Sequence, residues 1–303
     1  MKHIYDLQGA VPGAARVAFG YFDGMHLGHK AVIDQLRGYE GQTPVLLSFS
    51  NETDPVIYTE GEKEYLLQGS GVEIMVSMPA AEAETMTAEA FARDILAGKL
   101  QAKSVVVGEA AVFGSDKKSA ADLAAYGQKY GFTVDTVPTV CVEGTPVSAE
   151  AVKKAISDGD FGRMQTLLGH TYIMQGVVVH GKAAGRKHGM PTANLGVADN
   201  KLFPPHGVYA SLSYMDGTFF RGMTNIGLRP SDDDIPVATI ETHLLNFDRD
   251  IYDKLITLKV YTYIRGVKKF AGGLDEVRRQ IDLDIEAVRA YMDETVSHLK
   301  AKA

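Results

Sequence analysis

Near residue 170 the hydrophobic pattern of this chain turns from alternating strand and helix spacing to mostly strand spacing, and that change limits the folds open to it. Before it, short apolar runs alternate with segments whose apolar residues recur at helical spacing. Val17, Ala18 and Phe19 sit in a run over 16–22, and Val32, Ile33 and Leu36 follow at the steps of a helix reaching Tyr39. Runs over 44–49, 72–78, 104–107 and 132–142 read as further strands. Segments 62–67 and 120–129 read as helices, as does the one that Thr87 caps through Phe91, Ile95 and Leu96. This alternation predicts a mostly parallel sheet covered on both faces, with ligands at the carboxyl ends of its strands.

After two short helices over 148–168, split by Asp158-Gly159-Asp160 and closed by Gly169, helical spacing all but disappears. Strands are predicted over 172–180, 207–215, 218–226, 237–247 and 255–265, with Asp216-Gly217 as a type I′ hairpin turn. About five strands with antiparallel signals predict a small closed barrel. Leu274, Val277, Ile281, Ile285, Val288, Met292, Val296 and Leu299 step by three and four, one apolar stripe that packs across that barrel. The fold class is therefore α/β: a Rossmann-like domain over 1–170, then a small antiparallel β-barrel with a C-terminal helix over 171–303. A length of 303 residues suits two such cores.

Charge and cysteine usage narrow the function. A formal net charge of −7 argues against a general nucleic-acid binder, which needs a cationic footprint to displace counterions. Cys141 is the one cysteine, so no disulfide framework or thiolate metal cluster is expected, and a reducing cytoplasm is the natural compartment. No apolar stretch approaches the roughly 18 residues of a membrane span, and no secretory leader is visible. A cytoplasmic protein with small-molecule partners is expected, without membrane or nucleic acid.

Two stretches have the composition of sites. Gly20-Tyr21-Phe22-Asp23-Gly24-Met25-His26-Leu27-Gly28-His29 leads from the first strand straight into a helix. Orphan N–H groups and the helix dipole favour an anion there, and neutral His26 and His29 suit donors to phosphate oxygens. The plainer reading is a glycine-rich turn with incidental histidines. The stretch Gly185-Arg186-Lys187-His188-Gly189-Met190-Pro191-Thr192-Ala193-Asn194-Leu195 combines glycines, a proline and two short oxygen-bearing side chains. Thr192 and Asn194 are hard oxygen donors fit for Mg²⁺ shared with nucleotide phosphates, and Arg186 and Lys187 could meet phosphate charge. A surface loop bent by Pro191 is the alternative. Glu241 is an unusual carboxylate in an apolar strand, where it either serves as a general base or lies with Thr239 and His243 on a solvated face.

In this order and on these two architectures, the motifs resemble the prokaryotic bifunctional riboflavin kinase and FAD synthetase family. The first half is similar to its nucleotidylyltransferase domain through Gly20, Phe22, Asp23, Gly24, His26, Gly28 and His29. The second half is similar to its kinase barrel through Gly185, Arg186, Gly189, Pro191-Thr192-Ala193-Asn194, Gly207-Val208-Tyr209, Asn225 to Pro230, Glu241, His243, Phe247, Asp250 and Tyr252. The resemblance implies ATP and Mg²⁺, with a flavin (riboflavin, FMN or FAD) as substrate or product. It implies Thr192 and Asn194 as metal and phosphate ligands, and Glu241 as catalytic base. Departures concentrate in the first half. The family's Ser-Ser-Thr-x-Ile-Arg segment aligns with Ser148-Ala149-Glu150-Ala151-Val152-Lys153, its Gly-x-Asp-Phe-x-Phe-Gly loop with 108–114, and its proline and histidine pattern after the second strand with 50–55. The expectation is a riboflavin kinase with slow FMN adenylyl transfer; the rival is a flavin or nucleotide sensor without turnover.

Overall fold

The computed structural model describes residues 1–5, 7, 13–180, 191–230, 236–268, 270 and 273–296. Its contacts form two units: Met1–Lys153 with Thr166–Gly169, and Lys154–Gln165 with His170–Ala303.

The chain begins β1 (Lys2–Ile4), β2 (Ala15–Gly20), α1 (Leu27–Asp34), β3 (Thr43–Ser50), α2 (Glu60–Leu67), β4 (Ile74–Pro79) and α3 (Ala80–Thr85). It continues α4 (Ala88–Ala90), β5 (Ala102–Gly108), β6 (Val112–Phe113), β7 (Lys118–Ser119), α5 (Ala120–Tyr130), β8 (Thr133–Val137), β9 (Cys141–Val142) and β10 (Thr145–Pro146). Six of these strands form one parallel sheet in the order β1-β4-β3-β2-β5-β8. Val45, Leu46 and Leu47 are successive and all fully buried, as expected of a strand covered on both faces. The chain leaves β2 to pair β3 on one side and later returns to pair β5 on the other. The end of β2 is thus the topological switch point of the sheet.

Several boundaries differ from the sequence reading. β1, three residues long, carries too little pattern to be read. α1 starts directly after His26 and ends at Asp34, short of Tyr39. Thr87 does cap a helix, accepting a hydrogen bond from the Ala90 amide, but after Ala90 the turns widen to π geometry over Phe91–Lys99. Those wide turns bring Phe91, Ala92, Ile95 and Leu96 together into the core. The run 132–142 breaks after Val137, and its end pairs as the small β9–β10 hairpin.

After α6 (Ala149–Asp158) and α7 (Phe161–Leu168) come β11 (Tyr172–Val179), β12 (Ala193–Gly196), β13 (Gly207–Met215), β14 (Thr218–Pro230), β15 (Pro236–Leu244), β16 (Leu255–Gly266) and α8 (Leu274–Val296). The barrel is closed in the order β11-β12-β15-β14-β13-β16, with every pairing antiparallel. It has six strands rather than about five, the addition being β12. Asp216 and Gly217 both have positive φ, 48° and 79°, as a type I′ turn requires. On α8, Val288 and Met292 are buried against Ala210 and Leu245. The stripe is not wholly apolar: Asp284 is 2% exposed and forks with Arg265 at 2.7–3.0 Å. No helix among the described residues is long and apolar enough to cross a membrane.

Phe161 of α7 packs on the fully buried Tyr209 of β13, with ring centroids 5.5 Å apart, and Gln165 Nε2 donates to the Tyr261 carbonyl at 3.4 Å. A fragment beginning at Ser148 is therefore expected to melt several degrees above one beginning at Tyr172, since burying one phenylalanine contributes about 2 kcal/mol. Equal melting temperatures would show that α7 adds nothing to the barrel.

Candidate functional site

The first unit's site is the turn between β2 and α1. Phe22 and Met25 hold left-handed φ of 47° and 46°, an uncommon conformation for side-chain-bearing residues and one that concentrates at functional turns. Gly24 has φ 87°, and a Cβ there would lie 2.9 Å from Ile57 Cδ1. Asp23 braces the turn: its Oδ1 accepts from the Ile57 and Tyr58 amides at 2.7 and 3.2 Å, and its Oδ2 pairs with Lys153 Nζ at 3.1 Å. Behind the turn, buried Lys63 donates to the Tyr21 carbonyl at 2.7 Å and to Ser48 and Glu60.

His26 caps α1, its Nδ1 accepting from the His29 amide at 3.3 Å, which leaves the proton of the neutral ring on Nε2. The two imidazoles stack with centroids 3.6 Å apart. Burial pushes His26 down to about 4 against the opposing pull of Glu150 and Asp23. Burial likewise holds His29 well below its ordinary value, with His26 and Lys63 adding to it. Both rings are neutral, as the sequence reading expected, but burial is the main cause. Neutral N–H groups beside helix-terminal amides suit phosphate oxygens.

The start of α6 joins this turn. Ser148 Oγ accepts from the Ala151 amide at 3.2 Å. Glu150 is held below the ordinary carboxylate range by the backbone and Ser148, with Lys153 and His26 contributing. Lys153 is engaged by Asp23 and by the Pro55 carbonyl at 2.8 Å. Beside the turn lies a cavity of about 600 Å³ walled by Tyr21, Phe49, Phe91, Phe113 and Lys117. Sequence reasoning missed it, because its rings come from separate segments, three near strand ends and Phe91 at the start of the π-helical turns.

The second unit's site is carried by β12. Asn194 pairs with Val179 on one side and Glu241 on the other, and Glu241 pairs in turn with Asn225. Paired residues share a face, so Asn194, Glu241 and Asn225 form one row on the outer wall. Ala193, Leu195, Ile240 and Thr242, the alternates, are buried. His243 Nδ1 donates to the Pro191 carbonyl at 2.9 Å, tying the approach to β12 to β15. Thr192 and Asn194 both line a cavity of about 380 Å³ whose lining also includes Phe247, Arg249, Asp250 and Tyr252. Glu241 stands beside Asn194 on the neighbouring strand and is not itself on the cavity wall. Gly185, Arg186 and Gly189 lie outside the described residues, as does Lys187.

Comparison with known proteins agrees with both halves. Residues 10–151 match the FAD synthetase family and residues 168–292 the riboflavin kinase family. The bifunctional riboflavin kinase/FMN adenylyltransferase of Pseudomonas fluorescens is 31% identical over 284 residues, covering 89% of this chain and 91% of its own. That of Escherichia coli K12 is 30% identical over 308 residues, covering 96% and 97%. Among solved structures, a Streptococcus pneumoniae protein described as a macrolide-efflux protein superposes with a TM-score of 0.80 at 30% identity, covering 95% of this chain and 98% of that one. A Rossmann-like nucleotide domain followed by a flavokinase-type barrel is thus the class that fold and sites define. The chain belongs to the bifunctional riboflavin kinase/FMN adenylyltransferase family.

The buried histidines give the first unit a pH dependence. Folding depresses their protonation from about 6.5, to about 4 for His26, so between those values the unfolded chain binds more protons. Their contribution is complete above pH 6.5 and is lost as pH falls toward 4. His26→Asn keeps a good cap and removes one titrating ring. Thermal melts at about pH 7 and about pH 5 are expected to show a smaller loss for His26→Asn than for the parent. An equal loss would assign the pH dependence elsewhere.

Proposed function

We propose that the barrel unit transfers the γ-phosphate of ATP to the terminal ribityl hydroxyl of riboflavin, giving FMN. The observation that carries this reading is the pairing of Asn194 with Glu241 at the edge of a cavity that Thr192 also lines. The Thr192 hydroxyl and Asn194 amide oxygen are donors of the class Mg²⁺ takes. Among the described residues no group of three or more His, Cys, Asp or Glu could hold a metal, which fits an ion held by few protein ligands together with substrate phosphates. When bound, Mg²⁺ neutralises charge on the transferring phosphoryl group. Thr192 and Asn194 would orient it, with Pro191 shaping the loop and Gly185, Arg186 and Gly189 approaching phosphate. The Glu241 carboxylate would accept the proton of the attacking hydroxyl. A sensor without turnover has no use for a base beside the metal ligands, which favours the enzyme.

In the first unit we infer ATP bound at the turn from Gly20 to His29, with the aromatic cavity suited to a flat flavin ring. Adenylyl transfer to FMN is expected to be slower than FMN formation. Lys153 is tied to Asp23 and Pro55, and Glu150 brings negative charge beside His26, where a triphosphate needs donors. All residues assigned to phosphoryl transfer follow residue 171, so we divide the chain catalytically at 1–170 and 171–303. The exposed free Cys141 fits a reducing compartment, and the cytoplasm belongs to this proposal.

Purified protein given riboflavin, Mg²⁺ and ATP is expected to form FMN first, with FAD lagging, when products are resolved by chromatography. Glu241→Gln is expected to lower turnover by about 10²- to 10⁴-fold while riboflavin still binds. Turnover within a few-fold of the parent would remove Glu241 as the base. FAD accumulating as fast as FMN would overturn the account of the first unit.

A further inference from the structure

The segment 247–252, part of the lining of the barrel cavity, carries a cation that the phosphoryl-transfer scheme does not use. We propose that Arg249 binds the polyphosphate of the nucleotide in this cavity, a role that rests on the kinase reading of the same site. Three observations carry it.

Arg249 is the one cationic side chain among the described residues that line the cavity, where the other charged side chains are Asp248 and Asp250. A polyanion meeting two carboxylates is repelled unless cations face it. Mg²⁺ held by Thr192 and Asn194 would answer part of this charge, and Arg249 is the protein's own cation on the same lining.

The guanidinium is also held in place. Its central carbon lies 4.9 Å from the Phe247 ring centroid and 5.7 Å from that of Phe220, and those rings meet edge to face at 5.0 Å and 79°. A cation–π contact does not consume the N–H donors of a guanidinium in conventional hydrogen bonds. Resting against two rings favours this placement of the side chain and lowers the entropic cost of engaging a ligand.

Finally, those donors have no carboxylate partner within ion-pair distance among the described residues, although aspartates flank Arg249 in sequence. Asp250 Oδ1 instead accepts from the Tyr252 amide at 3.1 Å, which shapes the turn. An exposed fork of donors in a cavity that Thr192 and Asn194 also line suits phosphate better than any neutral group.

The test is steady-state FMN formation by the full chain, varying ATP at saturating riboflavin and then the reverse. Arg249→Gln is expected to raise the KM for ATP on the order of tenfold, the loss of a charge-assisted hydrogen bond, with the KM for riboflavin and kcat within about twofold of the parent. Arg249→Lys keeps the charge without the planar fork and is expected to fall between the two. Phe220→Leu leaves the charge and loosens its support, and is expected to raise the KM for ATP a few-fold. An ATP KM within twofold of the parent in Arg249→Gln would overturn the proposal, as would equal rises in both KM values. If Arg249→Gln fails to fold, Arg249→Lys and Phe220→Leu decide by the same criterion. A parent chain that forms no FMN would refute the kinase reading itself, a distinct outcome.

Discussion

The pairing of β12 with β11 through Val179 and Asn194, and with β15 through Asn194 and Glu241, both closes the barrel and sets Asn194 beside Glu241. With four residues, β12 is a short bridge between two longer strands. Its register is set by apolar burial, because Ala193 and Leu195 are 8% and 6% exposed and occupy the inner layer. A slip of one residue would turn them outward and drive Asn194 into the core, which the side-chain period of two forbids at high cost. The force that packs the barrel therefore also sets the proposed metal ligand beside the proposed base.

Much of this architecture is legible in the sequence because burial pattern and topology are linked. Strands covered on both faces read as continuous apolar runs, as at Val45 to Leu47, and Asp216-Gly217 marks its hairpin by conformational demand. β12 is not legible as a strand. Pro191, Asn194 and Gly196 are poor strand formers, and the segment is extended because two neighbours supply its hydrogen bonds. The same stretch reads as a candidate site from its short oxygen donors, and the fold sets Thr192 and Asn194 on the lining of a cavity. Long-range polar contacts were invisible: Arg265 with Asp284 on α8, and Arg16, fully buried and reaching Asp135 at 2.8 Å, depend on segments brought together only by folding.

The first unit gathers at one turn the groups that the proposal assigns to an anion, with a carboxylate and an engaged lysine beside them. Buried, neutral His26 and His29, the start of α1 and Lys63 behind the turn all persist. Asp23, which the sequence reading grouped with phosphate-binding residues, holds the 57–58 backbone and Lys153 in this structure. An arginine in place of Lys153 would offer a planar fork able to serve Asp23 and a phosphate together, whereas a lysine offers a point charge. Binding and turnover can thus separate within one domain, because transition-state stabilisation needs donors from more than one side.

The central claim is that Asn194 and Glu241 act as one unit because the barrel pairs them. A double-mutant cycle on FMN formation tests it directly, with Asn194→Ala, Glu241→Gln and the double variant measured under the same conditions. Groups acting as a unit are strongly non-additive, so the double variant is expected to be about as slow as the slower single variant. Losses that multiply, as for independent sites, would contradict the account.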